Sequence, residues 1–149
     1  MTRLLIIAMT LAFSPAAFAQ TTVSADKPVV LDASEVSVEE YLWTARPVVV
    51  FADTPADPRY REQIALLADR AEALGERDVV VIADTDPAAK SALRTKLRPR
   101  GFMLVLIGKD GNVALRKPFP WDVRELTRAI DKMPLRQEEI RARRADGQG

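Results

Sequence analysis

The sequence predicts an α/β domain in which a mixed sheet of about four to five strands lies between flanking helices. Two apolar runs, at 48–52 and 79–83, have the length and continuity of strands that are buried on both faces. An amphipathic helical stretch separates them, so the two strands are expected to lie parallel, joined by a right-handed crossover. Farther along, two apolar runs flank the Gly-Lys-Asp-Gly turn at 108–111, which predicts an antiparallel hairpin.

The predicted sheet begins with PVVLD at 28–32, within an N-terminal tail and short strand that span 20–35. After it, Ser37 and Glu40 have the spacing of a capping box, in which each side chain satisfies a free backbone N–H group. This pattern predicts a short helix before the strand at 48–52.

Two Asp-Pro pairs, at 57–58 and 86–87, each predict the start of a helix. Aspartate accepts hydrogen bonds from free backbone N–H groups there, and proline is tolerated at the first helical position. The first helix is expected to end at Gly75 and the second before Pro99.

The C-terminal part of the chain is predicted to be helical. Asp122 and Glu125 have capping-box spacing ahead of an amphipathic stretch, and Pro134 begins a last, polar helix. A polar tail at 142–149 follows.

The first 19 residues have the features of a secretory signal peptide. Arg3 precedes an apolar stretch at 4–13, and Ala17 and Ala19 form an A-x-A cleavage site. Because this stretch is shorter than the roughly 20 residues of a membrane-spanning helix, a retained signal anchor is the less favoured alternative. We therefore expect a periplasmic or secreted protein, cleaved after Ala19, with no stable membrane anchor.

The composition excludes several classes of function. Loss of Arg3 leaves 21 basic residues against 21 acidic ones, so no basic face for nucleic acid is expected. Without cysteine there is no disulfide, thiol nucleophile or thiolate metal site, and without histidine the usual general base and zinc ligand are missing. The sequence predicts neither a bound metal nor a cofactor.

The predicted order of strands and helices resembles the thioredoxin fold, whose reactive loop follows the strand that corresponds to 48–52. Matching that strand places Pro55 and Pro58 roughly where thioredoxins have their two cysteines. The cis-proline that faces those cysteines would fall near Phe102 or Met103. Both redox signatures are missing, so thiol-disulfide oxidoreductase activity is excluded.

Three motifs resemble the family called domain of unknown function 4174: RDVVVI at 77–82, LIGKDGNVALR at 106–116 and AIDKMPLRQEEIR at 129–141. The resemblance covers about 36–141. It implies a thioredoxin-like fold, exported bacterial proteins and related domains in animal extracellular-matrix and sushi-repeat proteins, with no established activity. The motif residues are predicted to be structural: Lys109, Asp110, Gly111, Arg116, Asp131, Met133, Pro134, Arg136 and Glu139.

Within the last motif, Met133 and Leu135 are expected to pack beneath the final helix. Arg136 and Glu139 are expected to pair, because residues three apart share a helix face.

Acidic residues follow both predicted parallel strands, at the edge where open α/β sheets place ligands. Asp53, Asp84 and Asp86 could share a divalent cation or act as an acid and base pair. The favoured interpretation is local: Asp57 and Asp86 cap helices, and Asp53 and Asp84 form turns through their side chains.

Four arginines are expected at the same edge, and their guanidinium groups would suit a carboxylate or phosphate ligand. Ion pairs with the neighbouring acids are the favoured alternative. The candidate contacts for a ligand or partner are therefore Asp53, Asp57, Arg59, Arg61, Asp84, Arg98 and Arg100.

Phe119 and Trp121 could form an aromatic contact for a partner, or they could close the edge of the core. Closure of the core edge is the favoured interpretation.

The functional prediction is a thioredoxin-like binding or scaffold module without redox chemistry. Its expected partner is a protein or a small anionic ligand of the cell envelope. The alternative is an enzyme based on carboxylates and arginines at the strand ends, with or without a metal.

Overall fold

The computed structural model describes residues 29–147, so the predicted signal peptide and its cleavage site lie outside the described residues. The strands are β1 (Val30–Asp32), β2 (Arg46–Phe51), β3 (Val79–Asp84), β4 (Met103–Ile107) and β5 (Val113–Lys117). The helices are α1 (Pro58–Asp69), α2 (Ala71–Gly75), α3 (Ala92–Leu97), α4 (Val123–Asp131) and α5 (Pro134–Asp146). Two 3-10 helices, Val38–Tyr41 and Pro87–Ala89, complete the secondary structure of these residues.

The five strands form one mixed sheet in the order β1-β3-β2-β4-β5. β1 and β2 run parallel to β3, whereas β4 runs antiparallel to both β2 and β5. In the centre, Val48 lies opposite Val81 on one side and Leu106 on the other. The predicted mixed sheet, parallel pair and antiparallel hairpin are confirmed.

The core lies on both faces of β2, whose six residues are all buried. Val48 and Val50 face a cluster that includes Leu126 and Ile130 of α4. Val49 and Phe51 face the opposite cluster, to which α3 contributes. Burial on both faces explains why β2 is a continuous apolar run after its first residue.

The capping box predicted at Ser37 is wrong. The Ser37 hydroxyl donates to the Glu39 carboxylate, and Glu40 donates its backbone N–H to the Ser37 carbonyl. A hydroxyl engaged with a neighbouring carboxylate cannot also cap the helix in the predicted manner, and the segment is a single 3-10 helix.

The helix predicted to start at the second Asp-Pro pair is interrupted. Asp86 accepts a hydrogen bond from the backbone of Ala88, but only the 3-10 helix Pro87–Ala89 follows. Lys90 then adopts a left-handed backbone with φ of 47°. Helix α3 starts instead after Ser91, whose hydroxyl accepts a hydrogen bond from the Arg94 backbone.

Two other helix predictions need smaller corrections. The helix predicted to run to Gly75 ends there, but a non-helical Arg70 divides it into α1 and α2. Asp122 caps α4 through the backbone N–H of Arg124, whereas Glu125 pairs with Arg128. None of the described helices is long and apolar enough to cross a membrane.

Candidate functional site

The turn after β2, where thioredoxins carry their reactive cysteines, is capped by its own residues. The Asp57 carboxylate accepts the backbone N–H of Arg59 at 2.9 Å and the Arg59 guanidinium at 2.8 Å. These hydrogen bonds lower the pKa of Asp57 below its ordinary value. Asp57 is therefore the N-cap of α1, as predicted. Its carboxylate accepts hydrogen bonds from Arg59 groups that could otherwise bind an anionic ligand.

Asp84, at the end of β3, is a buried ion-pair partner, so the turn role expected for it is wrong. Its carboxylate lies 2.7 Å from the Arg94 guanidinium and also accepts the Ser91 hydroxyl. The Arg94 guanidinium also donates a hydrogen bond to the carbonyl of Ala52 at 2.9 Å, and it lies 5.5 Å above the centre of the Phe51 ring. A carboxylate that is only 3% exposed needs such a partner, because burial of an isolated charge is costly.

Asp53 is exposed, and the side-chain turn at this position is made by Thr54, whose hydroxyl accepts the backbone N–H of Ala56. The edge also includes the loop before β4. A Cβ atom on Gly101 would lie 4.0 Å from both the Asp53 carboxylate and the Arg59 guanidinium. The loop and the turn after β2 therefore meet, as the sequence predicts.

The four arginines predicted at this edge differ in their surroundings. Arg59 pairs with Asp57 and lies 5.7 Å from the Phe102 ring. The Arg59 side chain is 51% exposed, and those of Arg61, Arg98 and Arg100 are exposed as well. Within residues 29–147, no three acidic side chains come close enough together to hold a metal ion.

A second group of charges lies at the opposite edge of the sheet, where β2 and β3 begin and β4 ends. All three sequence motifs contribute to it, together with the first residue of β2. We call it the motif cluster, and its residues are Arg46, Arg77, Asp78, Lys109, Asp131, Arg136 and Glu139.

Glu139 is the centre of the motif cluster. Its carboxylate lies 2.9 Å from Arg46, 2.8 Å from Lys109 and 3.3 Å from Arg136. Burial alone would raise the pKa of Glu139, but hydrogen bonds from these three cations lower it to about 2. The predicted Arg136–Glu139 pair is confirmed, and the structure adds two cations that are distant in sequence.

Asp131 and Asp78 extend the cluster. Asp131 accepts two hydrogen bonds from the Arg77 guanidinium, at 2.9 and 2.8 Å, which lower the pKa of its carboxyl. Asp78 pairs with Lys109 at 2.8 Å. The Arg77 carbonyl accepts a hydrogen bond from Arg46 at 2.9 Å, so the two halves of the cluster are connected.

A groove of about 270 Å³ adjoins the motif cluster, between the β4–β5 hairpin and the junction of α4 and α5. The hairpin side includes Val113 and Ala114, and the junction side includes Met133, Pro134 and Leu135. The complete lining is Arg46, Gly108, Lys109, Asp110, Asn112, Val113, Ala114, Met133, Pro134 and Leu135. Apolar walls beside buried cations make this groove the candidate functional site.

The remaining motif residues support the hairpin. Asp110 accepts the backbone N–H and the side-chain amide of Asn112 at 3.1 and 2.9 Å, which holds the turn. Gly111 has a φ of 79°, and a Cβ atom there would lie 2.8 Å from Leu42. The Arg116 guanidinium, on β5, donates a hydrogen bond to the Leu97 carbonyl at the end of α3, at 2.6 Å, and so connects the hairpin to that helix.

The aromatic pair after β5 is divided between core and surface. Trp121 packs against the core, exchanges two hydrogen bonds with Gln63 through its backbone, and lies 4.6 Å below the Lys117 ammonium. Phe119 is 52% exposed. Trp121 therefore closes the edge of the core, which is the role that the sequence favours for the pair, whereas Phe119 is a surface residue.

Arg46 and Arg94 are the main site residues that the sequence prediction missed. Arg46 comes shortly before the apolar run at 48–52, but it is the first residue of β2 and only 1% exposed. Charged residues that adjoin a fully apolar strand are seldom buried without a partner, and this is the signal that could have identified Arg46. Arg94 lies within α3, where the sequence carries no comparable signal.

The model of the domain of unknown function DUF4174 matches residues 37–139, which include every residue of the motif cluster. The chain belongs to the DUF4174 family. The structure is also similar to that of reduced desulfothioredoxin from Desulfovibrio vulgaris Hildenborough, with a TM-score of 0.53 and 18% identity. That match covers 71% of this chain and 99% of the other.

A second similar structure is thioredoxin peroxidase I of Plasmodium yoelii, with a TM-score of 0.48 and 17% identity, over 69% of this chain and 80% of that one. The similarity to desulfothioredoxin shows the fold of this DUF4174 domain: it is thioredoxin-like. Since the sequence has no cysteine, the domain has this fold without the thiols of thioredoxin chemistry.

Proposed function

We propose that this DUF4174 domain is an exported binding module of the cell envelope and that it binds its partner or ligand in the groove beside the motif cluster. The observation that carries the proposal is the groove itself, with apolar side chains on both walls and Arg46 and Lys109 among its lining residues. Concave, mostly apolar sites with a few convergent polar groups are typical of ligand binding.

The pKa values of three carboxyls favour a role as fixed charges over acid–base catalysis by these groups. The pKa values of Asp57, Asp131 and Glu139 are all lowered, the last to about 2. A general acid or base needs a pKa near the working pH, which for a carboxyl means a raised value. These carboxylates remain charged at neutral pH, so they act as fixed charges.

The alternative, an enzyme at the edge where β2 and β3 end, has less support. The Asp57 carboxylate forms an ion pair with Arg59. The Asp84 carboxylate forms an ion pair with Arg94 and accepts a hydrogen bond from the Ser91 hydroxyl. A reactant that used either of these two carboxylates would have to displace hydrogen bonds that already satisfy it.

Export is proposed from the sequence of the first 19 residues, with their basic start, apolar stretch and A-x-A site. The intact mass of protein taken from the envelope fraction tests it. A chain that starts at Gln20 is expected, and the full-length mass in a membrane fraction would contradict export with cleavage.

The binding proposal is tested by filling the groove. Ala114 is exposed and lines the groove, whereas Ala65 is exposed on α1 and is not among the lining residues. The tagged domain and its Ala114→Phe and Ala65→Phe variants are incubated with envelope extract, and retained molecules are compared by mass spectrometry.

The unmodified domain and the Ala65→Phe control are expected to retain the same molecule, and Ala114→Phe is expected to lose it. If Ala114→Phe retains everything that the control retains, the groove is not the binding site. Circular dichroism of the three proteins verifies that they are equally folded.

A further inference from the structure

We infer that the groove beside the motif cluster binds an apolar monocarboxylate, with its carboxylate toward Lys109 and its apolar part between the two walls. This inference rests on the proposed function and adds the chemical class of the ligand. It follows from the burial of the charges in the motif cluster, from hydrogen-bond donors that remain there, and from the composition of the walls.

The cations of the motif cluster are more deeply buried than its carboxylates. The side chains of Arg46, Arg136, Lys109 and Arg77 are 1 to 17% exposed, whereas those of Glu139, Asp131 and Asp78 are 23 to 39% exposed. Four cations thus face three carboxylates, and solvent screens the carboxylates more strongly. Glu76, which also contacts Arg77, is 62% exposed and compensates the buried charge only weakly.

The cluster is also short of hydrogen-bond acceptors. Arg46 donates through both terminal nitrogens of its guanidinium, but its buried Nε has no partner. A buried donor without a partner is rare in native structures. The Lys109 ammonium has three donors, and its ion pairs with Asp78 and Glu139 account for two. One further anionic acceptor would take the third Lys109 donor and compensate the buried cations more closely than the exposed Glu76 does.

The walls of the groove select the rest of the ligand. Val113 and Ala114 line one side, and Met133, Pro134 and Leu135 the other. A hydrocarbon chain between them would be removed from water, and this burial favours binding more strongly with each CH₂ group that is covered. The volume of about 270 Å³ is close to the lower end of ligand pockets, about 300 Å³, so the ligand is small.

Four soluble probes separate the contributions of charge and chain. Octanoate has both features, octan-1-ol has the chain alone, acetate has the charge alone, and octylammonium has the chain with the opposite charge. Each is titrated into the isotope-labelled full-length mature domain, and backbone amide shifts are followed by NMR. Octanoate is expected to shift the amides of Gly108, Lys109 and Val113 and to bind at least about tenfold more tightly than the other three.

Two pairs of variants test the location. Ala114→Phe is expected to weaken octanoate binding about tenfold or more, and Ala65→Phe to leave it unchanged. Lys109→Met is expected to reduce the preference for octanoate over octan-1-ol, and Lys109→Arg to preserve it. If Lys109→Met does not fold, the comparison of probes on the unmodified domain still decides the question.

A peptide C-terminus offers the same chemistry as a free acid. N-acetyl-leucyl-leucine is therefore titrated in parallel, and tighter binding of octanoate assigns the ligand to free acids. Tighter binding of the dipeptide in the groove would overturn that assignment.

Equal binding of octanoate and octan-1-ol would overturn the inference, as would octanoate shifts that lie outside the groove or no shifts at millimolar concentration. The proposed function would survive these results if the Ala114→Phe variant still lost the molecule retained from envelope extract. It would fail separately if that variant retained the molecule.

Discussion

The guanidinium of Arg46 lies 2.9 Å from the carboxylate of Glu139, although 93 positions separate the two residues in the sequence. Arg46 is the first residue of the central strand, and Glu139 lies in the middle of the last helix. Their ion pair fixes α5 against the edge of the sheet where β2 begins. Arg46 also lines the groove, as do Pro134 and Leu135 at the start of α5, so the stability of α5 and the shape of the candidate site are linked.

Glu139→Gln is expected to destabilise the domain by about 2 kcal/mol. The substitution leaves the guanidinium of Arg46 buried without a counter-charge, and uncompensated buried charges are costly. Unfolding in urea, followed by circular dichroism, measures the change. The control is Glu138→Gln on the exposed face of the same helix, expected within about 0.5 kcal/mol of the unmodified protein. Equal effects of the two substitutions would contradict the central role of Glu139.

The contribution of Glu139 to stability is expected to depend on pH in the acid range. Its pKa falls from an ordinary 4.5 to about 2 in the folded protein. A lowered pKa means that the stabilisation is fully present above about 4.5 and is lost as the pH falls toward 2. The free energy of unfolding of the unmodified protein and of Glu139→Gln is measured over this range. The difference between them should shrink as the pH falls, and a difference independent of pH would contradict the assignment.

The sheet could be predicted because its signals are local. The runs at 48–52 and 79–83 are apolar since β2 and β3 lie in the middle of the sheet. The hairpin follows from a turn of four residues whose Gly111 adopts a positive φ. In each case, the residues that decide the structure are neighbours in the sequence.

The motif cluster could not be predicted in the same way. Lys109 and Asp78 are 31 positions apart, and Arg77 and Asp131 are 54 apart. Lys109 reaches Asp78 because β4 runs antiparallel to β2, which returns the chain to the edge where β2 and β3 begin. Asp131 reaches Arg77 from the end of α4. The motifs identified most of the residues involved, but a sequence motif carries no information on which charges meet.

Asp84 and Arg94 are expected to be energetically coupled. The carboxylate is 3% exposed and the guanidinium 12%, so either charge alone would be left in a poorly solvated position. Asp84→Asn and Arg94→Met should each destabilise the domain, by about 3 kcal/mol. The double variant should cost clearly less than the sum of the two, because it leaves no unpaired charge. A double-mutant cycle from urea unfolding measures this coupling, and strict additivity would show that the two side chains act independently.

Asp57→Ala is expected to reduce the equilibrium constant for folding about fivefold, the usual effect of removing an N-cap. The first backbone N–H groups of a helix have no partner within it, and in α1 the Asp57 carboxylate accepts one of them, from Arg59. Asp53→Ala is the matched control, because Asp53 is an exposed carboxylate of the same turn and does not cap the helix. Urea unfolding of both variants gives the comparison.

The same two variants also test whether this turn has a binding role in place of cysteine chemistry. A self-capped turn predicts that Asp57→Ala changes stability but not the molecules retained from envelope extract. The pKa of Asp57 is lowered by its hydrogen bonds with Arg59, so the carboxylate is charged at neutral pH and would repel an anionic ligand approaching the start of α1. An unchanged midpoint of unfolding together with loss of a retained molecule would make the turn a binding site, and the groove at the opposite edge would no longer be the favoured one.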